Sequence, residues 1–291
     1  MVDYAVRAIS KSGHIRGLAA ITTDLVQDLQ KAHTTLPVVS AALGRTATMG
    51  ALIGLTLKDP RYRVTIRVDG DGPIGKIVVD ANGTGQVRGY VDNPAVLIPL
   101  KENGKLDVSG AVGEGMIYIN RDLGLREPYG GASPIISGEL AEDFTYYFTT
   151  SEQTPSSVGL GVLVNRDKIM VAGGYMIQLM PQVEEEEIAQ LEERIAKMNG
   201  GVTEHFHKGV TPEGLLRLLM GDDASILDKQ DLQFHCTCSK EQIGGVLKSL
   251  GSKEVEAILT EDGKAEVVCH FCNTKYHYSG EDLKQLLSEL N

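Results

Sequence analysis

Apolar positions in the first 180 residues follow two different periods, which predict an alternation of strands and helices. Tyr4, Val6 and Ala8 alternate with Asp3, Ala5 and Arg7, a period of two that predicts a strand. After Gly13 and Gly17, Leu25, Leu29 and Ala32 share one helical face, and that helix is expected to end near Thr34 and Thr35. Pro37 suits the first turn of a second helix with Ala41, Ala42, Met49, Leu52 and Ile53 on its apolar surface. Residues 63–68 alternate cleanly and residues 77–79 are β-branched, so two strands are expected. Asn82-Gly83 predicts a hairpin into residues 86–90. Asn103-Gly104 and the glycine-rich residues 110–115 read as turns, and residues 116–119 as a short strand. A helix with Leu140, Phe144 and Tyr147 on one face is expected within residues 137–151, followed by strand-like runs at 158–164 and 168–172. Residues 1–180 therefore read as one α+β body.

The pattern changes at Pro181. Glu184, Glu185, Glu186 and Glu187 open a segment in which Ile188, Leu191, Ile195 and Met198 recur at helical spacing. Carboxylates in a first turn favour a helix through its dipole, and Asn199-Gly200-Gly201 is a stop signal. A second helix begins with Thr211 as cap and Pro212 at its first position, carrying Leu215, Leu216, Leu218 and Leu219. Residues 181–230 thus form an expected linker of amphipathic helices, whose apolar stripes need another surface to cover them. Residues 231–291 form a third, smaller segment. Ser239 and Gln242 match a capping box ahead of Ile243, Val246, Leu247 and Leu250, and Ser252 is a candidate cap for a further turn through Val255, Ile258 and Leu259. Residues 265–268 read as a strand, and Ser279 with Asp282 opens a terminal helix bearing Leu283, Leu286, Leu287 and Leu290. No internal repeat of about 20–50 residues is apparent.

Composition narrows the function classes. The chain has 291 residues, 42% of them hydrophobic, which suffices for a packed core and argues against wholesale disorder. A net charge of −11 argues against a general nucleic-acid binder, which neutralises phosphates with Lys and Arg. Residues 1–10 carry Asp3 and Arg7 and lack the apolar run of a signal peptide. No stretch approaches the roughly 20 apolar residues needed to cross a bilayer, so a soluble, cytosolic protein is expected. There, clustered cysteines more often bind metal or do redox chemistry than form structural disulfides.

All four cysteines lie in the last segment, as Cys236-Thr237-Cys238 and Cys269-His270-Phe271-Cys272. Two short-spaced pairs can each supply two thiolates from one turn, and zinc in structural sites prefers four tetrahedral ligands with sulfur among the best of them. One Zn²⁺ per chain on Cys236, Cys238, Cys269 and Cys272 is the expectation. His235, His270 and His277 lie nearby in sequence, but four thiolates already fill a tetrahedron. A domain of about 60 residues is marginal on its hydrophobic core alone, whereas structural zinc contributes an apparent 10–16 kcal/mol, roughly, near neutral pH. The metal is therefore expected to hold this segment folded. Zinc thiolates are also oxidisable, so the same site permits either a permanent structural role or a redox switch.

These residues resemble the thirty-three-kilodalton heat-shock protein family, a redox-regulated bacterial chaperone. The pairing of a one-residue spacer (Cys236, Cys238) with a two-residue spacer (Cys269, Cys272) carries most of the resemblance. Gly13-His14-Ile15-Arg16-Gly17, Gln86-Val87-Arg88-Gly89-Tyr90, Ser151-Glu152-Gln153-Thr154-Pro155-Ser156 and Ala172-Gly173-Gly174-Tyr175-Met176-Ile177-Gln178 support it along the rest of the chain. The resemblance implies a stress-response holdase that works without ATP, is a poor chaperone when reduced and zinc-bound, and is activated by oxidation. It implies disulfides Cys236–Cys238 and Cys269–Cys272, loss of zinc, unfolding of the zinc module and linker, and dimerisation. Unfolding or oxidatively damaged proteins are the implied partners, while the charge of −11 and the lack of a long apolar stretch argue against nucleic acid and membrane as partners. The alternative from another class is a constitutive binding module whose zinc domain is purely structural and contacts RNA or protein.

Other signals in the chain have simpler readings. Gly70-Asp71-Gly72-Pro73-Ile74-Gly75 contains a GxGxxG string, but Pro73 and the β-branched residues after it predict a turn between strands rather than a dinucleotide site. His205-Phe206-His207 reads as a solvated loop, the four glutamates as a helix start, and Ser156 and Ser157 as ordinary loop serines. No catalytic set is found, and the chain is not expected to be an enzyme.

Overall fold

The alternation at Tyr4, Val6 and Ala8 becomes strand β1 (Tyr4–Ile9). It lies within a five-stranded antiparallel sheet ordered β10 (Ser225–Asp231), β1, β2 (Ile15–Ile21), β9 (Lys168–Leu179), β8 (Ser156–Asn165). A second sheet has the order β11 (Gln233–Phe234), β5 (Gln86–Val91), β4 (Lys76–Asn82), β3 (Arg63–Gly70), β6 (Gly115–Asp122), β7 (Tyr129–Pro134), antiparallel except for the parallel pair β11–β5. The computed structural model describes residues 2–126, 129–166, 168–198 and 201–290. It divides into two compact units, Met1–His235 and Cys236–Asn291.

Helix α1 (Thr23–His33) and helix α2 (Pro37–Gly54) fill the first unit. Every residue of α2 except Pro37 and Arg45 is buried, as expected of a helix that is apolar or small on all sides. It packs on both sheets, and small residues allow the approach: a Cβ at Gly50 would lie 2.8 Å from Val79 Cγ1. The short helix α3 (Val108–Val112) and helix α4 (Ala141–Thr150) complete this core, to which α4 adds Phe144, Tyr147 and Phe148.

The first sheet has two apolar faces. One meets α1 and α2, and the other carries Val6, Ala8, Ile15, Val171, Tyr175 and Ile177. That second face is covered by α5 (Glu185–Ala196), α6 (Gly201–His207) and α7 (Pro212–Met220). The stripes at Leu191, Leu215, Leu216 and Leu219 thus find their cover within the same unit. Glycines on the sheet form sockets for side chains from these helices. A Cβ at Gly17 would collide with Met220 Sδ, one at Gly173 with the Phe206 ring, and one at Gly161 would lie 2.5 Å from Thr203 Cγ2. Helix α5 is further tied by Glu187, whose Oε2 lies 3.0 Å from His14 Nδ1.

Several expectations need correction. His205-Phe206-His207 is not a loop but part of α6, and Phe206 is buried. Residues 181–230 are not all helical, because β10 pairs with β1 at their end. The glycine-rich residues 110–115 are not all turn: residues 108–112 form α3, capped by the Asp107 side chain accepting from Gly110 N–H, and the turn lies at Gly113 and Gly115, both with positive φ. The β4–β5 turn places Gly85, not Asn82 or Gly83, at positive φ, while Asn82 Oδ1 accepts from the N–H groups of Thr84 and Gln86. Of the stop signal at 199–201, Asn199 and Gly200 lie outside the described residues, and Gly201 opens α6. The glycine string at 70–75 joins antiparallel β3 and β4, with no helix following it.

Asp3 is buried and its Oδ2 accepts from Leu25 N–H at 2.7 Å in the first turn of α1. Burial pushes its carboxyl up to about 6, against the lowering effect of backbone donors at Leu25 and Asp24. A raised carboxyl means that the folded chain binds more protons than the unfolded chain between pH 4 and 6, approximately. Stability from this group therefore rises as pH falls through about 6 and levels off below about 4. Asp3→Asn is expected to stabilise the first unit by roughly 1–2 kcal/mol at pH 8 and to flatten that pH dependence. Denaturant unfolding at pH 8 and pH 5 checks this, and an unchanged pH slope would contradict it.

Candidate metal centre

The second unit contains α8 (Lys240–Ser249), α9 (Ser252–Glu261), the antiparallel hairpin β12 (Lys264–Val268) and β13 (Lys275–Ser279), and α10 (Gly280–Ser288). Its caps follow from sequence. Ser239 Oγ accepts from Gln242 N–H, and Ser279 with Asp282 forms a reciprocal capping box on α10. Ser252 is the first helical residue of α9 rather than its cap, a position taken by Gly251 at φ +89°. The core is small: Leu247, Val255, Tyr278 and Leu283 are fully enclosed, with Ile243, Ile258 and Leu286 packed around them.

Cys236 and Cys238 lie just ahead of α8, and Cys269 and Cys272 lie in the loop between β12 and β13. Strand pairing brings Val268 opposite Lys275, so residues 269–274 must reverse the chain. They do so with Cys269 N–H donating to Thr274 O at 3.0 Å, Asn273 N–H donating to Cys269 O at 2.8 Å, and Asn273 in the left-handed region. Asn tolerates that region better than most residues. Two alternate tyrosines of β13 then hold Cys238 and the start of α8. Tyr276 Oη lies 3.0 Å from Cys238 O and 3.1 Å from Cys238 Sγ, and Tyr278 Oη donates to Lys240 O at 2.6 Å.

The four sulfurs lie within 4.8 Å of one another, and no histidine nitrogen joins them among the described residues. Cys236 Sγ is 3.8 Å from Cys269 Sγ, and Cys238 Sγ is 3.3 Å from Cys272 Sγ. A tetrahedron of sulfurs around zinc, with bonds of about 2.3 Å, has edges of about 3.8 Å. Thus the sulfurs fit one tetrahedral ion. Cys269 is buried and the other three are half-buried.

The thiols do not ionise alike. Burial pushes the Cys272 thiol up, but Thr274 side-chain and backbone donors, with Cys238 and Cys269, outweigh it and bring it to about 7. Burial drives Cys238 up to about 12, and the neighbouring sulfurs add to this against the Tyr276 hydrogen bond. Once one sulfur in so tight a group is negative, a second thiolate is disfavoured, and a cation among them removes that penalty. The donor set can therefore hold a metal ion, and its chemistry suits a soft divalent one.

The cysteine spacing is legible in the sequence, whereas Tyr276 and Thr274 are not, because hairpin register places them beside the sulfurs. Of the other candidates, His277 Nδ1 lies 3.4 Å from Glu266 Oε2 across the β12–β13 hairpin. Ser156 and Ser157 lie in β8 rather than a loop, and Ser156 Oγ is engaged by Thr154 O and Gln178.

Comparison with known proteins agrees along the whole chain. The family model described as "Hsp33 protein" matches residues 3–279. The "33 kDa chaperonin" of Staphylococcus aureus strains JH9 and Newman is 51% identical over 291 residues, covering 99% of both chains. The crystal structure of the 33 kDa chaperonin (heat shock protein 33 homolog) from Thermotoga maritima superposes with a TM-score of 0.92 at 33% identity, covering 99% of this chain and 98% of that one. With a family model and close relatives matching from end to end, this α+β chain belongs to the Hsp33 chaperone family.

Proposed function

We propose that the chain is an ATP-independent holdase, held inactive while its four cysteines are reduced and bound to one Zn²⁺, and activated by oxidation. The convergence of Cys236, Cys238, Cys269 and Cys272 within 4.8 Å, in a unit with so small a core, carries this reading. When bound, zinc supplies a positive centre that keeps all four sulfurs as thiolates and cross-links two distant parts of the unit.

Each cysteine pair gives up two electrons to a hydroperoxide. One S–S bond forms, the O–O bond breaks, and two protons taken from solvent complete water and an alcohol, or two waters with hydrogen peroxide itself. The pairing implied by the family is Cys236–Cys238 and Cys269–Cys272. An S–S bond of about 2.05 Å needs local rearrangement from sulfurs in a tetrahedral arrangement, and disulfides are far poorer metal ligands than thiolates. Without its cross-link the second unit loses order, and residues 181–230 loosen with it. The apolar face of the first sheet, with Val6, Ile15, Val171, Tyr175 and Ile177, then becomes available to unfolded protein. A homodimer is the proposed active form, and unfolding or oxidatively damaged proteins are its clients. No helix among the described residues is long and apolar enough to cross a membrane, and the cytoplasm is the proposed site of action.

Peroxide treatment of the reduced, zinc-loaded protein at elevated temperature tests this. Loss of free thiols, release of zinc and suppression of client aggregation are expected to rise together. Zinc release with no change in aggregation suppression would sink the holdase reading and favour a permanently structural zinc module.

A further inference from the structure

Resting on that reading of the four-thiolate site, we propose that Tyr276 is a positioning residue of the metal centre, its phenol O–H donating to Cys238 Sγ and fixing that sulfur as a ligand. The phenolic oxygen lies 3.1 Å from the sulfur and 3.0 Å from the carbonyl oxygen of the same residue. A phenol has one proton, which these two acceptors on Cys238 share. When Cys238 becomes a thiolate the sulfur is the stronger acceptor, and the bond to it becomes charge-assisted.

The fold explains why Tyr276 does this. Tyr276 and Tyr278 project from the same face of β13, two residues apart. Tyr278 is buried in the core and bonds Lys240 O, while Tyr276 sits one step nearer the loop of the second cysteine pair and reaches Cys238. A single strand therefore follows directly on the loop of the second pair and holds a member of the first pair through a side chain. The hydroxyl draws electron density from one ligand sulfur and fixes its direction, as partners of metal ligands commonly do.

The test uses the full-length reduced chain with Zn²⁺ and with Co²⁺ as probes. Tyr276→Phe keeps the ring and removes the donor, and Tyr278→Phe removes a neighbouring hydroxyl that touches no sulfur. Tyr276→Phe is expected to weaken Zn²⁺ binding about 10-fold or more in competition with a chelator. It is also expected to move the sulfur-to-metal charge-transfer band of the Co²⁺ form to longer wavelength, because the sulfur then holds its electrons less tightly. Tyr278→Phe is expected to leave the band in place. Unchanged affinity and spectrum in Tyr276→Phe would overturn the proposal, as would equal band shifts in both variants. A Tyr276→Phe chain that stays unfolded at saturating Zn²⁺ would also overturn it, because the hydroxyl would then serve the fold rather than one sulfur. Failure of the unaltered chain to bind either ion through four thiolates would instead remove the metal-site reading itself.

Discussion

Chelating the metal from the reduced protein, or replacing Cys269 with serine, is expected to unfold residues 236–290 while strands β1 to β9 of the first unit stay folded. Among the described residues of the second unit, Leu247, Val255, Tyr278 and Leu283 are the only fully enclosed side chains apart from Cys269 itself. Its helices are short, and α8 contains Gly244 and Gly245, each costing about 1 kcal/mol relative to alanine in a helix interior. Structural zinc in a domain of this size contributes an apparent 10–16 kcal/mol, roughly. That is of the same size as the whole stability of a typical domain, about 5–15 kcal/mol. A core change such as Leu283→Ala costs only about 2–5 kcal/mol and leaves the metal to compensate. Loss of the metal should therefore remove the ellipticity of α8, α9 and α10 together and abolish slow amide exchange in β12 and β13. Amide exchange is the decisive measurement because it resolves the two units separately. A metal-free chain whose residues 236–290 stayed compact and heat-resistant would leave the proposed switch with nothing to release.

What could be read from sequence depended on how local its cause was. Helix α2, the β3–β4 pair and the capped helix α10 follow from periodicity and capping residues, and the cysteine spacing showed which side chains to bring together. Strand β2 was not visible, since Gly17, Ala19 and Ala20 give no contrast between faces when both are buried. Strand β10 was missed for the opposite reason. Residues up to 230 are expected in a helical linker, Asp228, Lys229 and Asp231 give no apolar strand signal, and only pairing with β1, more than 200 residues away, makes the segment a strand. Residues 205–207 look polar because two histidines flank Phe206, whose burial depends on the bare backbone of Gly173. Tyr276 was silent for a similar reason: its role arises from hairpin register, which no local motif records.

The glycine sockets beneath α6 and α7 permit a direct test of whether uncovering the first sheet is enough for activity. Gly17 is the best position. A Cβ there would meet Met220 Sδ and Leu216 Cδ2 before anything else, and both belong to α7. Gly173 is less suitable, because an added Cβ would also press on the Ala20 carbonyl within the sheet, 2.5 Å away. Valine suits a strand, so Gly17→Val should leave β2 intact and force α7 outward. Leu216 and Met220 are both buried, and overpacking of this kind costs about 1–3 kcal/mol. Confined to the opening of residues 185–220, that shift raises the open population roughly 5- to 150-fold. Reduced, zinc-loaded Gly17→Val protein is therefore expected to suppress client aggregation without peroxide and to show faster amide exchange in α5 and α7. Gly50→Ala is the control: its Cβ presses on Val79 inside the core around α2, so it weakens the body without lifting the covering helices. Faster exchange in Gly17→Val without any gain in aggregation suppression would show that clients bind elsewhere. Equal activation by Gly50→Ala would show that general instability, rather than this face, produces the activity.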